Sequence, residues 1–169
     1  MNKAIFLDRD GVINKEIGYV FRVEDFFLTD DIIPALKKLQ DAGFIFIVIT
    51  NQSCIAKELY TLDDVEAVHK HMLSLMTENG IRISEIYYCT HHPDVEPCIC
   101  RKPDSGMLEK AIARFNIDVS KSFLIGDKER DIQAAEKAGV KGFLIESDSP
   151  IMGIAEEIIN SSKLNKETK

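Results

Sequence analysis

The sequence predicts an α/β protein: a doubly wound parallel sheet with helices on both faces. Three observations lead there. Five short apolar runs recur along the chain, stretches of helical period separate them, and the residues of chemical interest come directly after the runs. Strands apolar on both faces belong to a parallel sheet covered by helices. Strand–helix alternation then gives the doubly wound order.

The first run covers residues 4–7 and stops at Asp8. A helix is expected over 32–42, closed by Gly43, since glycine accepts the left-handed conformation that ends helices. The longest run, 44–49, follows. The second helix, 62–79, opens on Thr61 with Asp64 three residues on, a capping-box pattern with Asp in the usual Glu place. Ile86-Tyr87-Tyr88 is the third run, with a helix over 107–115 behind it. Phe123-Leu124-Ile125 is the fourth, followed by a helix over 130–138 and Gly139. Residues 142–145 form the fifth, and a last helix is expected over 152–159. Residues 1–160 read as one domain and 161–169 as a loose polar tail.

With 169 residues, 45% of them hydrophobic and 29% charged, the chain is the size of a single domain that folds without disulfide staples. A formal net charge of −7 argues against nucleic acid and anionic membrane surfaces as partners, because both need a positive field. No apolar run reaches the roughly 20 residues that span a bilayer. Met1-Asn2-Lys3-Ala4 leads straight into the first run and does not read as a signal peptide. A cytoplasmic monomer acting on a small phosphorylated metabolite is the expectation.

Ligands of open parallel sheets sit beyond the carboxyl ends of the strands. Asp8-Arg9-Asp10-Gly11 follows the first run, Thr50-Asn51-Gln52-Ser53 the second, Cys89-Thr90-His91 the third and Gly126-Asp127-Lys128 the fourth. The strand period sends Asp8 and Asp10 to the same side. One carboxylate could attack phosphorus while the other protonates the leaving oxygen; the same residues also suit a polar strand end opening a loop. Asp127 and Asp131 bring further carboxylates, and clustered carboxylates repel unless a cation neutralises them. Oxygen-only ligation suits magnesium. Asp131 reads equally as a first-turn helix residue favoured by the macrodipole. Thr50 and Asn51 can donate to phosphoryl oxygens or simply cap a turn, and Lys102 can neutralise a transferring phosphoryl group.

Cys89-x-His91, six residues, then Cys98-x-Cys100 supplies a Cys₃His zinc set within a short loop. His92 is an adjacent substitute for His91, and a disulfide is the competing reading, disfavoured in a reducing compartment. Four protein ligands leave no open position, which suits a structural ion. Cys54 is left over.

Taken in order, DRDGVIN (8–14), TNQS (50–53), RKP (101–103) and GDKERD (126–131) resemble the haloacid dehalogenase superfamily of phosphatases. Within it the chain is most similar to the D,D-heptose 1,7-bisphosphate phosphatase group, close to the histidinol-phosphate phosphatase domain. The resemblance implies a Rossmann-like core, Asp8 as nucleophile and Asp10 as general acid/base. It implies magnesium held by Asp8, the Asp10 carbonyl and Asp127, and a structural zinc on Cys89, His91, Cys98 and Cys100. Thr50, Asn51 and Lys102 would bind the phosphoryl group beside Gln52 and Ser53, and Arg101 would contact substrate. Glu16, Ile17, Gly18, Tyr19 and Lys128 would lie near the sugar. The gaps between motifs hold no large cap domain, so residues 15–21, the segment after Asn51 and the zinc loop must cover the site. The family's GIARG after TNQS is replaced here by Cys54-Ile55-Ala56-Lys57-Glu58. The activity implied is removal of the C7 phosphate of D-glycero-D-manno-heptose 1,7-bisphosphate. Histidinol phosphate is the alternative substrate, and a zinc-stabilised binding module or a phospho-receiver the non-enzymatic alternative.

Overall fold

The computed structural model describes the backbone of residues 1–167 and the side chains of residues 1–162. The elements run β1 (Lys3–Leu7), α1 (Ile32–Asp41), β2 (Phe44–Asn51), α2 (Leu62–Glu78), β3 (Ile83–Cys89), α3 (Gly106–Phe115), β4 (Phe123–Gly126), α4 (Glu129–Lys137), β5 (Lys141–Leu144) and α5 (Met152–Glu167). All five strands are parallel, in the order β3-β2-β1-β4-β5. Two single-turn 3₁₀ segments, Val23–Asp25 and Val119–Lys121, carry no periodic signal and were not expected.

The strand period divides the core in two. Ile5, Leu7, Phe44, Phe46 and Val48 face one side, where α1, α2 and α5 bury Leu36, Met72 and Ile158. Ala4, Phe6, Ile47 and Ile49 face the other, against Leu108 and Ala111 of α3 and Ala134 of α4. Burial on both faces holds for β1 and β2 but fades at the sheet edges. β3 is half-buried along most of its length, and Leu144 of β5 is 53% exposed. An edge strand has a neighbour on one side only, and the helices here cover the sheet's centre.

The end of the last helix differs from expectation. The last helix continues past Ile159 to Glu167, so most of the expected polar tail is helical; Thr168 and Lys169 lie outside the described residues. Ser161 and Ser162 do not break it, because their hydroxyls donate back to the carbonyls of Glu157 and Ile158. Thr61 and Asp64 form both halves of the capping box that opens α2.

The topology positions the chemistry. From central β1 the chain winds outward through β2 and β3, then returns to build β4 and β5 on the other side. The loops leaving β1 and β4 therefore diverge, opening a crevice at their carboxyl ends. Leu7 pairs with Ile125, and the Asp8 amide donates to the Ile125 carbonyl at 3.1 Å, so the residues just beyond both strands stand side by side. On the other flank Asn51 is in register with Cys89.

Gly126 ends β4 where α4 passes closest. A Cβ there would lie 2.4 Å from the Asp131 Cβ. Gly126→Ala must push α4 outward, and overpacking of this kind costs about 1–3 kcal/mol. Urea denaturation should show that loss as a lower midpoint with an unchanged slope.

Candidate active site

Asp8, Asp127 and Asp131 each offer a carboxylate oxygen within 4.8 Å of the others, and all three are buried. Lys102 enters this anionic cluster from the loop before α3. Its ammonium lies 3.0 Å from Asp8 Oδ1 and 2.6 Å from Asp131 Oδ1, and donates to the Ile49 carbonyl at 2.8 Å. Its backbone is fixed by a reciprocal pair. Lys102 N donates to Asn51 Oδ1 at 3.1 Å, and Asn51 Nδ2 donates to the Lys102 carbonyl at 3.0 Å. Asn51 thus spends its amide on holding Lys102, a use the sequence did not indicate.

Burial pushes the Asp8 carboxyl up to about 7, against the pull of Lys102, while Asp131 and Asp10 add to the rise. Burial also works against the Lys102 ammonium, yet Asp8 and Asp131 hold its pKa above the usual lysine value. The Asp8 carboxylate therefore needs more positive charge than one lysine supplies.

Asp127 shows where that charge fits. Its Oδ2 accepts from Ser147 Oγ and lies 2.8 Å from Lys128 Nζ, whereas its Oδ1 is buried with no hydrogen-bond partner. Gly11, at φ +79°, leaves the space: a Cβ there would lie 2.4 Å from Asp127 Oδ2. An unpartnered buried oxygen in a cluster of three carboxylates suits a hard divalent cation that takes oxygen ligands. Asp131, left ambiguous by the sequence, is fully buried; its Oδ2 accepts from the Lys128 amide at 3.0 Å, so it caps α4 and neutralises Lys102 together.

Asp10 lines the same cleft but has other partners. Arg9, completely buried, grips it through Nε at 3.1 Å and Nη2 at 2.8 and 3.0 Å. Asn14 Nδ2 and Gln52 Nε2 donate to it at 3.0 and 3.1 Å. Behind Arg9 stands buried His69, whose Nε2 lies 3.4 Å from Arg9 Nη1. Burial, then the Arg9 charge, lowers the His69 pKa to about 4, so it faces the guanidinium as a neutral acceptor.

These groups open into a cleft of about 410 Å³. Of the residues expected near substrate, Glu16, Gly18, Tyr19, Thr50, Asn51, Gln52, Ser53 and Arg101 line it. Ile17 is 56% exposed and does not; Lys102 is buried against Asp8 and Asp131, and the partly exposed Lys128 pairs with Asp127. The cover is built from short loops, with Phe21 stacked on Tyr60 at a 5.3 Å centroid distance and Cys54 packed beside Tyr60 and Val65. His92 and Arg130 also line the cleft, and the sequence reading missed both. In sequence His92 reads only as a possible metal ligand, and Arg130 stands in the GDKERD motif, whose position is the signal that could find it.

The second cluster joins Cys89, His91, Cys98 and Cys100, whose donor atoms all fall within 4.8 Å of one another. His91 Nδ1 lies 3.5 Å from Cys89 Sγ and 3.2 Å from Cys100 Sγ, and the Cys89 and Cys98 sulfurs are 3.6 Å apart. None of these cysteines is in a disulfide. His92 turns away to Asp94, with Nδ1 3.3 Å from the carboxylate, so His91 and not His92 stands with the three cysteines. Three sulfurs and an imidazole nitrogen at this spacing fit a tetrahedral zinc.

Comparison with known proteins agrees with this geometry. Residues 99–150 match the HAD-hydrolase-like family model. A D-glycero-alpha-D-manno-heptose-1,7-bisphosphate 7-phosphatase of Photorhabdus laumondii is 40% identical over 169 residues, covering 96% of this chain and 92% of its own. A D-glycero-beta-D-manno-heptose-1,7-bisphosphate 7-phosphatase of Haemophilus ducreyi is 42% identical over 145 residues, 82% of this chain and 80% of its own. The crystal structure of the D,D-heptose 1,7-bisphosphate phosphatase of B. bronchiseptica, complexed with magnesium and phosphate, superposes with a TM-score of 0.85 at 28% identity, covering 94% of this chain and 99% of that one. Alignment this extensive, together with a parallel sheet that carries the four motifs at its carboxyl end, leads to one conclusion: the chain is a phosphatase and belongs to the haloacid dehalogenase-like hydrolases.

Proposed function

We propose that the chain is a magnesium-dependent phosphomonoesterase that removes the 7-phosphate of a D-glycero-D-manno-heptose 1,7-bisphosphate through an aspartyl-phosphate, with a separate structural zinc. The observation that carries the chemistry is the buried Asp8, paired with Lys102 beside an Asp127 oxygen that has no partner. The substrate rests on the names of the relatives, which divide between α and β anomers.

An Asp8 carboxylate oxygen attacks phosphorus and the bond to the leaving sugar oxygen breaks, leaving the phosphoryl group on Asp8. Asp10 gives the departing oxygen a proton, then takes one from the water that cleaves the aspartyl-phosphate. Four donors from Arg9, Asn14 and Gln52 now surround Asp10. It acts only after exchanging at least one of them for the leaving oxygen. Magnesium on Asp8, the Asp10 carbonyl and Asp127 would neutralise charge on the nucleophile and the transferring oxygens. Lys102 supplies fixed positive charge on the other side, and Thr50 faces the phosphoryl position at the end of β2. Zinc on the Cys₃His set would anchor the loop that delivers Arg101 and Lys102. At the outer rim Arg101, Lys57 and Arg130 suit the second anion of a bisphosphate.

Asp8→Asn should abolish turnover, because the amide is a poor nucleophile and the uncatalysed reaction is very slow; retention of a tenth of wild-type kcat would refute Asp8 as nucleophile. The same change should stabilise the metal-free protein. A carboxyl whose folded pKa is raised holds its proton longer when folded, so stability falls as pH rises from about 4 to about 7. Thermal melts should therefore show Asp8→Asn above wild type at pH 8, the two converging towards pH 4.

Metal content supplies a second test. Protein purified without chelator should carry one zinc per chain, while activity should vanish on removal of magnesium and return with it, since thiolates select zinc and carboxylates magnesium. Absent zinc would remove the structural ion from this account, and full activity without any added divalent ion would remove the catalytic one.

Substrate choice is tested by kcat/KM for both heptose bisphosphate anomers and histidinol phosphate, with Arg101→Ala beside wild type. The variant should lose about 1–3 kcal/mol of transition-state stabilisation on the preferred heptose bisphosphate and almost none on a small aryl phosphate. Equal losses on both would make Arg101 part of the phosphate site itself, and better turnover of histidinol phosphate would overturn the substrate.

A further inference from the structure

The turn between β5 and α5 reaches into the carboxylate cluster through one residue that no motif marks. Ser147 Oγ donates to Asp127 Oδ2 at 2.5 Å and accepts from Lys128 Nζ at 2.9 Å. Lys128 Nζ also lies 2.8 Å from the same Oδ2. One oxygen of Asp127 thus has two donors, while Oδ1 is buried with none, in a residue whose carboxylate lies within 4.8 Å of those of Asp8 and Asp131.

The turn itself is pinned. The Ile145 amide donates to the Gly126 carbonyl at 3.0 Å, and the Asp148 amide donates to the Gly11 carbonyl at 2.9 Å. Asp148 Oδ1 accepts from the Glu16 amide at 2.7 Å, with Asp148 held at φ +66°. These bonds tie the turn to the end of β4 and to the loop after β1, the two segments that carry Asp127 and Asp8.

We propose that Ser147 is a positioning residue for magnesium: by engaging Oδ2 it fixes the carboxylate plane of Asp127 and reserves Oδ1 for the ion. The inference rests on the magnesium reading above and extends it to a residue outside the expected ligand set. A short carboxylate with both oxygens free turns about its terminal bond, and any turn of Asp127 trades the open oxygen for one already bonded to Lys128. Lys128 does not prevent that turn. Its side chain is 39% exposed, long and rotatable, and it follows whichever oxygen is offered. Ser147 can prevent it, because its Cβ belongs to a turn pinned on both sides. Groups that hydrogen-bond a metal ligand from behind contribute 10–100-fold to metal affinity.

The test uses full-length protein freed of magnesium by dialysis, with zinc content measured in every sample. Magnesium binding is titrated calorimetrically in wild type, Ser147→Ala, Ser147→Thr and Ser147→Val. Thr and Val are isosteric, so that pair isolates the hydroxyl even if the Ala variant packs poorly. The Ala and Val variants should bind magnesium about 10–100-fold more weakly, Thr should match wild type, and zinc content should be the same in all four. Equal magnesium affinity in Thr and Val variants would overturn the role of Ser147 alone. A wild-type protein that takes up no magnesium would overturn the metal reading and this inference together.

Discussion

Lys102 is the charge around which the site is assembled. Its ammonium sits in the protein interior against Asp8, Asp131 and the Ile49 carbonyl, and burying any of these charges singly would cost several kcal/mol. The lysine makes the carboxylates tolerable, and they make the lysine tolerable. Everything nearby serves that exchange: Asn51 clamps the lysine backbone, Gly126 lets α4 bring Asp131 within reach, and Gly11 leaves room for Asp127. The balance is incomplete: Asp8 and Asp131 share Lys102, and Asp127 of the same cluster has the partly exposed Lys128. That anionic excess is what a divalent cation would complete.

A second polar layer lies beneath Asp10. Arg9 is a full guanidinium in the core, acceptable because Asp10, the Val20 carbonyl and His69 together face its donors. His69 plays its part by remaining uncharged, for a protonated imidazole would oppose Arg9 with no water to screen it. Asp8 and Asp10 are two residues apart, yet their settings differ. One meets an ammonium and two carboxylates; the other meets a fork of donors. The two carboxylates thus stand in different electrostatic settings although they are only two residues apart.

Much of this was readable in advance, for definite reasons. β1 and β2 announce themselves because both faces are covered, and Asp8, Thr50 and Asp127 follow because the ends of parallel strands converge at a switch point. The edge strands read less truly: Leu144 looks like core in sequence and is open in space. The last helix ran beyond its expected end because serine is only a weak helix breaker when its hydroxyl can bond backwards. Asp131 stayed ambiguous because a helix-capping acid and a buried counter-ion share one position, and only burial separates them. Arg9, His69 and Ser147 were not legible at all. Their roles depend on contacts across the fold, His69 lying 60 residues and Ser147 20 residues from the partners they serve.

The cover of the cleft has a kinetic meaning. Loops carrying Tyr19, Cys54, Tyr60 and His92 roof the site, with the stacked Phe21–Tyr60 pair and the cysteine-rich loop as stiffeners. No separate domain closes over it among the described residues. Enzymes that shut a lid domain spend microseconds to milliseconds on each opening, and product often waits for it. Here, among the described residues, no domain closure stands between solvent and the carboxylates, and entry and exit pass through the side chains and short loops that line the cleft.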